Sequence, residues 1–378
     1  MKRLFLLTNL ILLFSGVVQA QEAKIIVSNT STLLRHEVVE ADVAAVRQLL
    51  GVSDSASLVV LGAFGQQVDY QVTHDGRLLL ETSVLPDDKA EFTVKPGTPR
   101  EPKHYVHGAQ YRQRLDDLTW ENDRCAYRLY GPALQRKGER SFGIDVWTKS
   151  TPELVVAQRY HRHFSGAKKV DASFHIDHGN GMDGYGVGPT LGCGAPALVV
   201  DGVMQMPWCY ESYRILDNGP LRFTVELTYP KTAAGITEHR RIQLDKGSHF
   251  NRMTVWYDGI VQPVKLAAGV VLHGGEPILG NNYVLYADPT EKPRQYQSQI
   301  FVGALFPEGV DSTGTMENAD GRLHAVGVVN NYQGHPYTYW FGAAWSLYDI
   351  PSMDIWKLYA SQCLQQLRQP LQVEVKHK

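Results

Sequence analysis

RFTVELTYP (residues 222–230), HRRIQLD (239–245) and FNRMTVWYDG (250–259) follow one another with only short breaks. Each run has strand length, and apolar side chains alternate with polar ones. The same style extends outward on both sides. KLAAGVVLHG (265–274), YVLYADP (283–289) and YTYWFGAAWSL (337–347) follow. SLVVLGAF (57–64), QVDYQVT (67–73), RLLLETSVL (77–85) and AEFTVKPG (90–97) precede, punctuated by HDG (74–76) and PDDK (86–89). Helix signals are scarce. Residues 40–50 fit a short helix or a strand equally well, and 352–369 read as a helix stopped by Pro370. The expected fold is all-β: a large antiparallel β-sandwich with few short helices, one of them near the C-terminus.

Composition agrees with a packed globular chain. Hydrophobic residues make up 43% of it and the mean hydropathy is -0.25. Residues 1–20 read as an export signal: Lys2 and Arg3, an apolar run over 4–14, then Val18-Gln19-Ala20. The expectation is an exported protein, periplasmic or secreted, with no membrane anchor. Residues 21–378 are expected to form one carbohydrate-active domain, with KPGTPREPKH (95–104) the best candidate for an internal seam. A net charge of -2 and a pI of about 6.7 point away from a nucleic-acid partner. Cys125, Cys193, Cys209 and Cys363 allow three pairings, and a chain this long folds without any.

DHGNGMDGYGVGPTLGCG (177–194) holds seven glycines in eighteen residues. Its GNGMDG matches the dinucleotide pattern G-x-G-x-x-G. That pattern must open a helix. Gly184, Gly186, Gly188 and Pro189 rule a helix out. Asp177, Asn180 and Asp183 lack the spacing of a calcium loop. Two readings remain: a tight structural turn, or a loop that brings backbone close to a sugar.

TWENDRCAYRLYGPAL (119–134) reads as one strand. Alternation would put Asn122, Arg124, Ala126 and Arg128 on one face, and Cys125, Tyr127 and Leu129 on the other. Arginine forks suit carboxylates, and they equally suit ion pairs with Glu121, Asp123 or Asp145. QRYHRHFSG (158–166) would place His161 and His163 on one strand face. ASFHID (172–177) would be a strand carrying His175 and Asp177, with His178 at the loop's mouth. Such histidines serve acid–base chemistry or bind zinc. No cofactor is expected, and a structural or catalytic divalent metal stays open.

RLDDLTWENDRCAYRLYGPAL (114–134), GIDVWTK (143–149), FHIDHGNGMDGYGVGPTLGCG (174–194) and LDNGPLRFTVELTY (216–229) resemble a family of secreted bacterial proteins known as a domain of unknown function. VSNTSTLLRHEVVE (27–40) is similar to that family's first strand. The family occurs in polysaccharide-utilisation systems and includes an ulvan oligosaccharide dehydratase. The resemblance implies a galactose-mutarotase-like supersandwich and an anionic oligosaccharide as partner. It implies loss of water across C4–C5 of a non-reducing-end uronic acid, leaving a 4,5-unsaturated sugar. Such chemistry needs a clamp on the carboxylate, a base for the C5 proton and an acid for the leaving O4, each worth about 10²–10⁴-fold in rate. Arg124 and Asn122 are the candidates for the clamp and His178 for the base. Tyr185 is the candidate acid, or the base if the stereochemistry is reversed. His175, Asp177 and Asp183 would orient these groups or hold hydroxyls. Trp120 would stack on a sugar face, with Lys149 a reserve acid–base group. A polysaccharide lyase, a mutarotase-like epimerase and a non-catalytic sugar-binding protein are the alternatives.

Overall fold

The computed structural model describes residues 22–166, 168–206, 208–289 and 297–378. The expected export signal at 1–20 lies outside them. The chain opens with β1 (Ala23–Ser28), β2 (Arg35–Asp42), α1 (Val43–Leu50), β3 (Leu58–Leu61), β4 (Tyr70–Val72), β5 (Arg77–Val84) and β6 (Lys89–Pro96). Next come β7 (His107–Tyr111), β8 (Asp117–Glu121), β9 (Ala126–Leu129), α2 (Pro132–Arg136), β10 (Ile144–Trp147), α3 (Val156–His163) and α4 (Lys169–Ala172). The sandwich strands begin with β11 (Cys193–Val200), β12 (Val203–Gln205), β13 (Ser212–Asn218), β14 (Arg222–Thr228), β15 (Thr237–Asp245) and β16 (Phe250–Asp258). They continue with β17 (Val264–Val271), β18 (Ile278–Gly280), β19 (Tyr283–Asp288), β20 (Ile300–Leu305), β21 (Ser312–Glu317), β22 (Leu323–Tyr332) and β23 (Tyr337–Trp345). The chain closes with α5 (Met353–Arg368) and β24 (Gln372–His377).

The architecture is all-β and antiparallel. An eight-stranded sheet runs β13-β14-β15-β16-β23-β20-β19-β18, and a five-stranded sheet runs β12-β11-β17-β22-β21. Alternation explains the packing. In β15 every second residue is buried, so Ile242 and Leu244 face inward while Arg241 and Gln243 face out. Phe223 and Val225 of β14 and Met253 and Val255 of β16 join them, against Leu266 and Val270 of β17. Each such side chain contributes about 1.5–3 kcal/mol on burial. A further sheet, β10-β9-β8-β7, packs on the same core through Leu118, Trp120, Tyr127 and Val146.

Two smaller sheets, β24-β1-β6-β3 and β2-β5-β4, share a second core with α1. Residues 40–50 contribute to both elements: β2 ends at Asp42, whose carboxylate accepts the N–H groups of Ala44 and Ala45 and starts α1. Residues 97–106, within and beside the expected seam, hold no helix or strand. The helix expected over 352–369 is α5, capped by the Ser352 hydroxyl. Its Trp356, Ala360 and Leu364 cover Phe250, Leu285 and Phe301 on the outer face of the large sheet.

Three local expectations fail. Residues 119–134 are not one strand: β8 and β9 form a hairpin in which Glu121 pairs with Ala126. The Asn122 side-chain oxygen Oδ1 accepts the N–H groups of Arg124 and Cys125 and folds the backbone between them. His161 and His163 stand on α3, because Val156, Arg159 and Tyr160 recur at helical spacing and are buried together. Residues 173–177 form a turn, in which the Ser173 hydroxyl accepts the His175 N–H.

Candidate active site

The site grows from Arg128 on β9. Its guanidinium is 4% exposed and meets three carboxylates: Asp145 at 2.5 Å, Asp183 at 2.9 Å and Asp117 at 3.6 Å. Asp145 is its partner across β10, and Asp183 arrives by a bridge to Trp147. The rings of Tyr130 and Trp147 flank the guanidinium at 4.7 and 5.1 Å. One cation faces three acids in a dry setting. Burial, with Asp183 adding to it and Arg128 opposing it, raises the Asp145 carboxyl well above the usual carboxylate range. Burial raises Asp117 too.

The glycine loop lies over this cluster. The Asp177 carboxylate accepts the N–H groups of Gly179, Asn180 and Gly181 at 2.8–3.0 Å. Arg159 of α3 ties the loop from beneath, bonding the Thr148 carbonyl, the Asn180 carbonyl and the Asn180 side chain. Gly181 has φ +96°, and a Cβ there would stand 2.2 Å from the Thr148 oxygen. Asp177 and the first glycines thus shape the turn. His175 sits at the rim with about half its side chain exposed, and its Nδ1 donates to the Asp183 carbonyl at 3.1 Å.

Farther along the loop, Tyr185 is 6% exposed, and its hydroxyl has no hydrogen-bond partner among the described residues. Burial, reinforced by Asp288 and more weakly by Asp145, pushes the phenol well above its ordinary value. Its ring stands edge-on to His273, 6.1 Å between centroids. His273 Nδ1 donates to Asp288 at 2.7 Å, and the His273 N–H donates to the Tyr286 hydroxyl at 3.0 Å. A phenol, an imidazole and its orienting carboxylate thus meet where the two sandwich sheets come together.

The structure places Asp183 and His175 at the Arg128 cluster and Tyr185 against His273, and sends other expected residues elsewhere. Asn122 is fully buried and its amide donates to the Asp245 and Ser248 carbonyls at 2.7 Å, so it has nothing left for a substrate. Arg124 pairs with Asp349 at 2.7 Å and with Asp123. It leaves the Arg128 face because the hairpin turn reverses the chain there. Trp120 is fully buried, stacked on Tyr127 and Phe223, with its N–H on Asn251; it offers no sugar platform. Lys149 is fully buried on Glu121 and the Asn122 carbonyl, which fixes it as a structural ion pair. His178 is exposed and donates to the Ser173 carbonyl at 3.0 Å.

His273 and Asp288 were not singled out from the sequence, although Lys265–Gly274 ends in a histidine-glycine pair that marks a strand end. All four cysteines are free thiols. Among the described residues no three His, Cys, Asp or Glu side chains are grouped to hold a metal, since Arg128 fills the centre of the aspartate cluster.

The fold resembles that of an α-mannosidase from Enterococcus faecalis, with TM-score 0.50 and 10% identity over 94% of this chain and 46% of that one. A glycosyl hydrolase family 38 protein from the same organism gives TM-score 0.49 at 8% identity, over 95% of this chain and 48% of that one. The chain therefore spans about half the length of either structure. Uncharacterized protein P7 of Formosa agariphila is 26% identical over 347 residues, covering 86% of this chain and 84% of that protein. Residues 27–373 match the model of a domain of unknown function, DUF4861, and the chain belongs to that family.

Proposed function

We propose that the chain is a carbon–oxygen lyase that removes water across C4–C5 of a terminal uronic acid on an anionic oligosaccharide. The observation that carries this is the buried Tyr185 hydroxyl, without a hydrogen bond, against the His273–Asp288 pair. Asp288 holds Nδ1–H of His273, which leaves Nε2 to take the C5 proton. Burial keeps Tyr185 protonated, so it serves as the acid rather than the base. The C5–H electrons become the C4–C5 double bond, the C4–O4 bond breaks, and Tyr185 protonates the departing oxygen. The proton on His273 then returns to the adjacent phenolate. Arg128, paired with Asp145 and with Asp183 of the loop, anchors the loop from behind.

Family membership and the fold shared with an α-mannosidase support a carbohydrate substrate by analogy. In the same reading residues 1–20 direct export and residues 21–378 act as one carbohydrate-active unit. Incubation with uronate-terminated oligosaccharides tests it. Dehydration raises the ultraviolet absorbance of a conjugated uronate and lowers the mass by one water. Two shorter chains would mean a polysaccharide lyase using the same groups. Silence on every uronic substrate would remove the enzymatic reading.

A further inference from the structure

A pocket of about 430 Å³ opens beside the β14–β15 hairpin, and none of its lining residues belongs to the Tyr185 site. That volume lies within the roughly 300–1,000 Å³ typical of small-molecule sites. Leu198 and Met206 form part of an apolar wall, and Trp208 stands 48% exposed at the edge. The hairpin is held shut by the Thr232 N–H on the Ile236 carbonyl at 2.8 Å.

Tyr229, Tyr257 and Glu238 are among the polar side chains that line the pocket amid this apolar wall. Tyr229 is 3% exposed and Tyr257 6% exposed, and neither hydroxyl makes a hydrogen bond of ordinary geometry among the described residues. Glu238, equally buried, is received by Arg240, whose guanidinium lies 4.2 Å over the Tyr229 ring. A buried hydroxyl left unpaired costs about 1–3 kcal/mol. The Tyr229 hydroxyl in the pocket wall thus offers hydrogen-bonding capacity to a ligand, while the Tyr257 hydroxyl lies beside the Glu238 carboxylate and interacts with it. Arg240 offsets Glu238, so the pocket carries no net charge. A ring with an apolar face and several hydroxyls suits Trp208, two phenols and a carboxylate together.

We propose that this pocket is a second saccharide site, taking an uncharged sugar residue and holding a glycan outside the reacting centre. The proposal rests on reading the chain as a carbohydrate-active protein. Calorimetric titration of the full chain with methyl glycosides of glucose, galactose, mannose and xylose, and with free glucuronate, tests it. At least one neutral glycoside is expected to bind with a dissociation constant of about millimolar order. Trp208→Ala and Tyr257→Phe are each expected to weaken binding at least about fivefold, and Tyr185→Phe is expected to leave it unchanged. Absence of binding by every neutral glycoside, binding of the uronate alone, or undiminished binding in the Trp208→Ala/Tyr257→Phe double variant overturns it. Neutral-sugar binding without elimination on any uronate would sink the dehydratase reading and leave this site standing.

Discussion

Tyr185→Phe removes one oxygen and leaves the ring in place. In most proteins, deleting a buried hydroxyl loses a hydrogen bond and costs stability. Here the hydroxyl has no partner among the described residues, so nothing is lost on that side. An unsatisfied buried hydroxyl carries a penalty of about 1–3 kcal/mol, part of which the variant recovers. A gain of roughly 1 kcal/mol corresponds to about 1–2 °C in Tm for a chain longer than 250 residues. On the proposed mechanism turnover moves the opposite way, falling about 10²–10⁴-fold once the hydroxyl is removed. Differential scanning calorimetry and initial rates of ultraviolet absorbance on the same preparation report both. A Tm that drops by several degrees would show that the hydroxyl is bonded in the native state. A rate that does not change would show that it is not the acid. Either result refutes the reasoning, and stability gained with activity lost is the pattern of a strained functional group.

Other consequences follow from single groups. Arg128→Leu leaves Asp117, Asp145 and Asp183 without their cation and should cost about 3–5 kcal/mol in urea unfolding, since a buried pair broken on one side exposes an uncompensated charge. Glu81 lies between His36 and Lys246, whose hydrogen bonds lower its carboxyl from 4.5 to about 2. A depressed carboxyl stabilises the fold above its unfolded value and loses that contribution as pH falls toward the folded one. Acid titration of Glu81→Gln should therefore show a flatter loss of stability between those two values. Burial pushes the Cys125, Cys209 and Cys363 thiols up to about 12. An aromatic disulfide reagent should label few thiols in the native protein and four after denaturation.

The sandwich was legible where one face of a strand is dry and the other wet. In β14, β15 and β16 that asymmetry writes a period of two into the sequence. The last helix was legible because Ser352 opens it and Pro370 closes it. The β8–β9 hairpin was not. Asn122 turns the chain with its own side chain, and the residues around it still alternate as if the strand continued. α3 was missed because eight residues are too few to show a helical period through so many histidines and arginines.

The site divides along the same line. Tyr185, Asp183 and His175 lie in one glycine-rich stretch, where local density of chemistry draws notice. Arg128 and Asp145 were visible only as a charge and its possible partner. His273 lies two residues past the end of β17 in the five-stranded sheet, and Asp288 ends β19 in the eight-stranded one. Their 2.7 Å contact depends on how the two sheets pack. No short-range pattern encodes that, and the same packing buries Trp120 and Asn122, which read as site residues from their neighbours alone.

The central claim is that Tyr185 and the His273–Asp288 pair, rather than His178 and Arg124, perform the elimination. The most direct measurement compares His273→Asn with His178→Ala on one uronate-terminated oligosaccharide, following unsaturated product by absorbance and mass. The account predicts a fall of at least about 10²-fold for His273→Asn and near wild-type rates for His178→Ala. Full activity in His273→Asn, with the loss falling on His178→Ala, would contradict it.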